Sequence, residues 1–410
     1  MDATELRQLA DEFLTPLFSG AEILADAAPS KPQEGCIAHI DPCTIAFKIN
    51  VADAYRLHLR RSQAFAASNL GLVTEKNVVE AFVQAVRGIE PGLNHSYRAD
   101  LLSSLDRRVV GKAIANPAFE PVFLQTLDQL DSLSSRLYEG QSITASVGFV
   151  PDDQQESVHI SDYWKKDFSS VLTNGHDTLL IVNEGGHVLG HESLPIPPHA
   201  PPFVPYRLAP LATWAQNGRV VVLLNRVGEI LVLRDQTLLF ARRSGRWHFL
   251  TPGVVVTQLK RPEDSQLRQA VLETALDVSF ARSGGCIGIV TSANQHTWKK
   301  VVVHTDDYLN PATSTKAKVI ERAIAGKTFQ QIDRRLRQEL VAIDGATVID
   351  HHGKILAVGA ILQIPGGSEG GGRLAAAKAL GTKGMGIKIS QDGGIRCFHD
   401  NKDDAVVSLM

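Results

Sequence analysis

Residues 343–360 read IDGATVIDHHGKILAVGA, and this stretch decides the fold expected for the C-terminal half of the chain. Two apolar runs rich in β-branched residues flank a polar break that ends in Gly353, which predicts a β-hairpin. Asp344 stands at the start of the first run, followed by the small residues Gly345 and Ala346. Small residues there would let a ligand approach the backbone, and the carboxylate could hold a metal or accept a proton. The Asp-Gly pair alone has low specificity, because such pairs also make ordinary turns.

The elements predicted around this hairpin make its interpretation more specific. Apolar periodicity predicts helices at 266–281 and 329–340, a strand at 286–289, and a late strand from 386 that ends near Ser390. With the Asp-Gly-Ala triplet and the Ala-Val-Gly-Ala return strand, this order resembles the nucleotide-binding domain of diadenylate cyclases over residues 215 to 400. The resemblance implies an α/β fold for this half, with a mixed twisted sheet flanked by helices.

The stretch GGGRLAAAK, residues 370–378, departs from that family. Diadenylate cyclases carry an Arg-His-Arg triplet ahead of a helix, where it grips the triphosphate; here Arg373 alone matches, and no histidine does. Glycines that lead into a helix N-terminus still suit a phosphate, although no Lys-Ser or Lys-Thr pair makes this a Walker A loop. The nucleotide-binding residues implied by the resemblance are Asp344, Gly345, Ala346, Gly370, Gly371, Gly372, Arg373, Lys378 and Ser390.

Three functional hypotheses follow. The first is a regulatory protein similar to the sensor branches of the family, which bind a nucleotide, ATP or a cyclic dinucleotide, without cyclising it. The second is an active diadenylate cyclase that makes cyclic di-AMP from two ATP molecules, with Mg²⁺ or Mn²⁺ held by Asp344 as the catalytic residue. Joining two nucleotides needs two facing sites, so this hypothesis requires a homodimer. The third is a domain used only for dimerisation or scaffolding.

Length and composition restrict the number of domains and the class of protein. The chain has 410 residues and a formal net charge of -2, which favours two domains and gives no reason to expect nucleic-acid binding. Its four cysteines form no Cys-x-x-Cys pair, its start does not resemble a signal peptide, and no run of eighteen apolar residues occurs. These features predict a cytoplasmic protein without a membrane span.

The chain is expected to divide at a proline-rich connector. Residues 1–194 predict an N-terminal, mostly helical α+β domain of unknown role, 195–213 the connector, and 214–402 the diadenylate-cyclase-like domain. Within the first part, the cationic cluster at 56–61 is interpreted as a solvated helix face. Strand–Gly-turn–strand patterns recur near residues 185, 228 and 353, and we interpret them as a generic hairpin because no helix recurs with them at a fixed period.

Overall fold

The computed structural model describes residues 3–25, 35–53, 55–66, 73–89, 95–151, 158–166, 168, 171–259, 262–294, 296–363, 371–399 and 405–410. The chain forms two units: Met1–Pro201 with Leu208–Thr251, and Pro202–Arg207 with Pro252–Met410. Each is a mixed α/β structure in which helices flank mixed or antiparallel sheets. Within the described residues, no helix is both long and apolar enough to cross a membrane.

The N-terminal unit begins with a short helix and a small antiparallel sheet, whose strand order is β1-β4-β3-β2. The elements are α1 (Ala3–Leu9), β1 (Ala21–Ala25), β2 (Ile37–Asp41), β3 (Thr44–Phe47) and β4 (Leu57–Arg61). The helix expected for the cationic cluster is therefore wrong. Leu57 and Leu59 alternate with polar residues and are buried, as the two-residue period of a strand requires. Arg61 is buried too, with its guanidinium 2.7 Å from Glu75 Oε1.

Helices follow this sheet. They are α2 (Glu75–Arg87), α3 (His95–Ser103), α4 (Leu105–Ile114) and α5 (Glu120–Ser134). The first begins at Thr74, whose side chain accepts from the Asn77 amide while Asn77 Oδ1 accepts from the Thr74 N–H, a reciprocal cap. At the start of α5, Phe119 packs against Phe149 of the next sheet with ring centroids 4.8 Å apart. The helices thus share one core with the sheets.

A larger sheet completes this unit, which is therefore a mixed α/β structure. Its order within the described residues is β13-β12-β11-β10-β7-β8-β9, with β7 and β8 parallel and the other neighbours antiparallel. In chain order, the elements of this part are β5 (Leu137–Tyr138), β6 (Gln141–Ser142), β7 (Ala145–Val150), α6 (Ile160–Tyr163), β8 (Thr178–Asn183), β9 (Val188–Ser193), α7 (Ala209–Trp214), β10 (Val220–Leu224), β11 (Ile230–Arg234), β12 (Thr237–Arg243) and β13 (Arg246–Phe249). Strands β5 and β6 pair with each other in a separate two-stranded sheet.

The expected boundary at residue 214 falls inside this sheet. All five residues of β10 pair with β7, and β11 to β13 extend the sheet from β10. Residues 214–251 therefore belong to the N-terminal unit, because main-chain pairing ties them to a strand some seventy residues earlier. From the proline-rich segment, residues 202–207 belong to the C-terminal unit, where Val204 is buried and its carbonyl accepts from Arg334.

The C-terminal unit contains one mixed sheet among its described residues, in the order β16-β15-β14-β17-β18-β19. Only β14 and β15 are parallel. The elements are α8 (Pro252–Gln258), α9 (Ser265–Phe280), β14 (Gly285–Val290), α10 (Thr315–Ile324), α11 (Arg334–Ala342), β15 (Ala346–Asp350), β16 (Ile355–Ala360), α12 (Gly372–Gly381), β17 (Gly384–Ile389), β18 (Ile395–His399) and β19 (Val407–Leu409). The central strand β14 is buried along its whole length, as expected for a strand covered on both faces.

The hairpin at 343–360, the helix at 266–281, the strand at 286–289 and the late strand are confirmed to within about two residues. The helix expected at 329–340 is broken instead. Thr328 caps a short 3₁₀ turn, Phe329–Gln331, and the Asp333 side chain then accepts from the Arg335 amide to begin α11. Two capping residues five positions apart start two elements where apolar periodicity predicted one.

Candidate functional site

A cavity of about 760 Å³ opens at one edge of the C-terminal sheet. The parallel strands β14 and β15 begin at this edge, and their antiparallel neighbours β16 and β17 end there. The N-terminus of α12 closes another side. The volume lies within the range of small-molecule sites. The cavity is lined by Cys286, Asp344, Gly345, Ala360, Ile361, Leu362, Gly371, Gly372, Arg373, Leu374, Ala376, Lys388, Ser390, Gln391 and Asp392.

Most of the residues expected at a nucleotide site meet in this cavity. Asp344, Gly345, Gly371, Gly372, Arg373 and Ser390 all line it. Ala346 does not, because its side chain is fully buried inside the sheet. Lys378, in the second half of α12, also lies outside the lining. Gly370 falls outside the described residues.

Asp344 stands at the mouth of the cavity on an exposed, tightly constrained turn. The next residue, Gly345, has a φ of 101°, and a Cβ there would lie 2.5 Å from the carbonyl carbon of Gly359. A side chain at this position would therefore push β15 and β16 apart. The glycine keeps the strands together and fixes the backbone that presents the Asp344 carboxylate.

Two cations, Arg373 and Lys388, form the polar part of the lining. Both are half-buried, and neither has a hydrogen bond or ion pair with another residue in the part of the chain that the structure describes. The Arg373 guanidinium lies against Gly284, where a Cβ would come within 2.5 Å of Nη1. Lys388 is the register partner of Cys286 on the neighbouring strand. Half-buried cations without partners are suited to binding an anion.

The N-terminus of α12 adds neutral donors to these cations. Gly371 precedes the helix with a φ of 92°, and no side chain of the described residues caps the helix there. The first backbone N–H groups of a helix have no intrahelical acceptor, and the helix dipole favours negative charge beside them. Arg373 and the uncapped turn that carries it therefore lie together on the cavity wall.

Cys286 is the buried thiol of this wall. Burial raises the pKa of its thiol to about 12, although the positive charge of Arg373 acts in the opposite direction. The group is therefore a neutral thiol at physiological pH, and a neutral thiol is a poor nucleophile. The site offers no activated cysteine at this position.

The apolar part of the lining, called here the aliphatic wall, is non-aromatic and consists of Ala360, Ile361, Leu362, Leu374 and Ala376. The lining therefore combines charged and aliphatic side chains, which fits a ligand with an anionic part and an apolar part. None of the residues that line the cavity carries an aromatic ring. A flat base would be held by aliphatic contact rather than by stacking between rings.

The residues that line the cavity could hold a metal ion only together with a phosphorylated ligand. In the part of the chain that is described, no group of three or more His, Cys, Asp or Glu side chains is placed to hold an ion. Asp344 supplies one carboxylate at the cavity mouth, and Asp392 lies elsewhere in the lining. Mg²⁺ is commonly bound through one or two carboxylates together with substrate phosphates, so the remaining ligands would come from the nucleotide and water.

Sequence reasoning missed Lys388, Cys286 and the aliphatic wall. Lys388 could have been suspected, because it is the one charged residue of the strand GMGIKI. The aliphatic wall had no such signal, since Ala360 to Leu362 look like the ordinary end of an apolar strand. Only the folded sheet brings them to the same cavity as Arg373.

Comparisons with known proteins give little further information. No family model matches the chain, and no curated protein matches it. Among solved structures, a cysteine double mutant of DacA from Staphylococcus aureus matches at 17% identity over 33% of this chain and 81% of that one. Its TM-score is 0.23, and a likeness this weak supports no conclusion about fold or function.

Proposed function

We propose that the C-terminal unit binds a nucleotide and that the protein acts as a nucleotide sensor or regulator. The observation that supports this proposal is the pair of half-buried cations without described partners, Arg373 and Lys388, beside the uncapped N-terminus of α12. A phosphate group would satisfy both cations and the helix N–H groups at once. The aliphatic wall would take the base, and Asp344 at the mouth would take a ribose hydroxyl or a phosphate-bound Mg²⁺.

Binding without turnover is favoured over catalysis by the same lining. Cyclisation must neutralise a departing pyrophosphate, and the loss of one preorganised donor aimed at developing charge typically costs about 3 to 4 kcal/mol of transition-state stabilisation. Here the phosphate side has one arginine and one lysine, together with neutral backbone donors. This set is sufficient for binding and sparse for stabilising a transition state.

The test is calorimetric titration of the full chain with ATP and with cyclic di-AMP, each with and without Mg²⁺. We expect Arg373→Ala and Lys388→Ala each to weaken binding at least tenfold, which corresponds to about 1.4 kcal/mol. Asp344→Asn should weaken binding only when Mg²⁺ is present, if its carboxylate acts through the metal. Lys378→Ala is the matched control, because it removes a cation from the same helix but outside the cavity lining.

Three results would replace the proposal. Unchanged affinity in well-folded Arg373 and Lys388 variants would remove the cavity from the function. Formation of cyclic di-AMP from ATP and Mn²⁺ would make the protein a diadenylate cyclase. No binding of either nucleotide would leave the scaffold hypothesis. Thermal melting of each variant separates loss of the site from loss of the fold.

A further inference from the structure

Six of the seven strands in the large sheet of the N-terminal unit have the same order and directions as the six strands of the C-terminal sheet, and β13 is the extra strand. In the first, β9-β8-β7-β10-β11-β12 run in sequence across the sheet; in the second, β16-β15-β14-β17-β18-β19 do. In each order the second and third strands, β8 and β7 or β15 and β14, form the parallel pair. A helix precedes the first strand of each set, α5 or α9, and another precedes the fourth, α7 or α12.

The register of the central strands agrees residue by residue. Gly148 of β7 pairs with Ile181 on one side and Val221 on the other. Gly288 of β14 pairs with Val348 and with Gly386 in the same way. A Cβ on either central glycine would lie within 2.7 Å of a side chain from the later helix, Trp214 in one case and Leu380 in the other.

The first hairpins also share an irregularity. The β8–β9 ladder shifts register between Ile181, paired with Gly190, and Val182, paired with Val188. The β15–β16 ladder shifts at the equivalent place, with Val348 paired with Ala357 and Ile349 with Ile355. β-Bulges are specific local features rather than random defects, so their coincidence is strong support for a common fold.

The turns of these hairpins use the same hydrogen bonds. The Asn183 Oδ1 accepts from the His187 N–H at 2.8 Å, and the Asp350 Oδ1 accepts from the Lys354 N–H at 2.9 Å. In each turn the N–H of Gly186 or Gly353 donates to the first residue's carbonyl at 3.0 Å. The hairpins near 185 and 353 are therefore equivalent positions of two copies, and so are the turns at 225–229 and 390–394.

These equivalences identify the residues of the N-terminal copy that occupy the positions of the cavity residues in the C-terminal copy. Counting along the matched strands, Asp177 corresponds to Asp344, Ser146 to Cys286, Leu223 to Lys388 and Asn225 to Ser390. At the position of Lys388, the N-terminal copy therefore has Leu223, whose side chain is buried. One source of positive charge is lost by this replacement.

The polar groups of the first copy are occupied within the protein. The Asp177 carboxylate accepts from the Asn174 side-chain amide, and the Ser146 hydroxyl donates to the Thr178 carbonyl. The Asn225 side chain accepts from two backbone N–H groups of its own turn and donates to Glu229. In the second copy, Asp344 and Lys388 have no such partners among the described residues.

A buried ion pair locks the turn of the first copy. Glu229 and Arg243 are almost completely buried, and the Arg243 guanidinium donates to the Glu229 carboxylate. Gly394 is the residue of the second copy that corresponds to Glu229, so no equivalent pair exists there. Arg226, which belongs to this turn, is exposed at its tip.

We infer that the chain contains two copies of one fold, of which only the C-terminal copy binds a ligand, so that each chain takes up a single nucleotide. The inference rests on the proposed function for the identity of the ligand. It assigns the N-terminal copy a structural role, since its equivalent polar groups already have partners. A single chain then has no second nucleotide to join to the first.

The stoichiometry of calorimetric titration of the full chain with ATP tests this directly. We expect one ATP per chain. We expect Lys388→Leu, which gives the C-terminal copy the residue found at the equivalent position of the N-terminal copy, Leu223, to abolish the heat of binding. Asp177→Asn should leave the affinity unchanged, in contrast to Asp344→Asn in the presence of Mg²⁺. Thermal melts of all three variants confirm that they are folded.

The outcomes separate the two proposals. Two ATP molecules per chain, or a tenfold loss of affinity in folded Asp177→Asn, would overturn the single-site inference while leaving nucleotide binding in place. No binding at all in the unmodified chain would overturn the proposed function. One ATP per chain that survives Lys388→Leu would place the site outside the C-terminal cavity and overturn both.

Discussion

His248 of β13 shows how a single buried side chain sets a dependence on pH. Burial, together with the positive charges of Arg243 and Arg246, lowers the pKa of its imidazole to about 4. The unfolded chain would bind a proton near pH 6.5. Because the folded pKa is the lower one, the stability contributed by neutral His248 is present above about pH 6.5 and is lost as the pH falls towards 4.

We therefore expect His248→Gln to reduce the acid sensitivity of the N-terminal unit. Between pH 7.5 and 5.0 the unmodified protein should lose stability of the order of 2 kcal/mol through this group, and the variant should lose less. Urea denaturation at both pH values measures the difference, and other titrating groups cancel because they are common to both proteins. Equal losses in the two proteins would show that His248 is not the titrating group.

At the scale of elements, the matched hairpin turns make a paired prediction. Asn183→Ala and Asp350→Ala each remove the side-chain oxygen that accepts from backbone N–H groups of its turn. Each should lower the free energy of unfolding by about 1 to 3 kcal/mol, because the N–H groups lose their partner. Arg226→Ala, at an exposed turn position, is the control and should have little effect on the denaturation midpoint. A large loss from one turn and none from the other would argue against their equivalence.

The same hairpins show what the sequence could reveal at this scale. The turn at Gly353 and the alternating β-branched residues around it are local features, so the hairpin and its boundaries could be predicted. The bulge and the pairing of β14 with β15 depend on residues far apart along the chain. Strand β4 was missed because three arginines and a histidine within 56–61 suggested a solvated helix, whereas buried Leu57 and Leu59 decide the structure.

The residues of the candidate site that belong to local sequence patterns could be predicted, and those brought in by the sheet topology could not. The Asp-Gly turn at 344 and the glycines ahead of Arg373 are local patterns, so a candidate site near them could be predicted from the sequence together with the family resemblance. Lys388 lies on β17, and Ala360 to Leu362 lie at and just after the end of β16, so only the folded sheet brings these residues to the cavity. The repeat is hidden in the sequence because its copies differ in the length of the β7–β8 and β14–β15 connections, which removes any fixed period.

At the scale of the whole molecule, the pairing of β10 with β7 changes what cleavage of the proline-rich segment should do. A protease site placed between Pro198 and His199, both exposed, would cut the chain after β9. The pieces should nevertheless stay together, because β10 is completely buried and remains paired with β7 of the other fragment. A stable separate fragment that begins near residue 214 is not expected.

Native gel filtration after cleavage, followed by denaturing electrophoresis, provides the measurement. We expect both fragments in one peak at the position of the uncut protein. Separation of the fragments without denaturant would show that β10 to β13 are held by the C-terminal part of the chain instead. The control is a cut in the turn at 226–227, between the paired strands β10 and β11 of one sheet. It shows how the protein behaves when the chain is cut within a hairpin.

The long interval between β7 and β10 also has a consequence during synthesis of the protein. About seventy residues separate the end of β7 from the start of β10, and translation proceeds at about 5 to 20 residues per second. For several seconds the growing chain would therefore expose one hydrogen-bonding edge of a strand that is mostly apolar and is buried in the finished fold. Such an edge can recruit a strand from a neighbouring nascent chain, so slow translation through residues 151–219 would favour aggregation on the polysome.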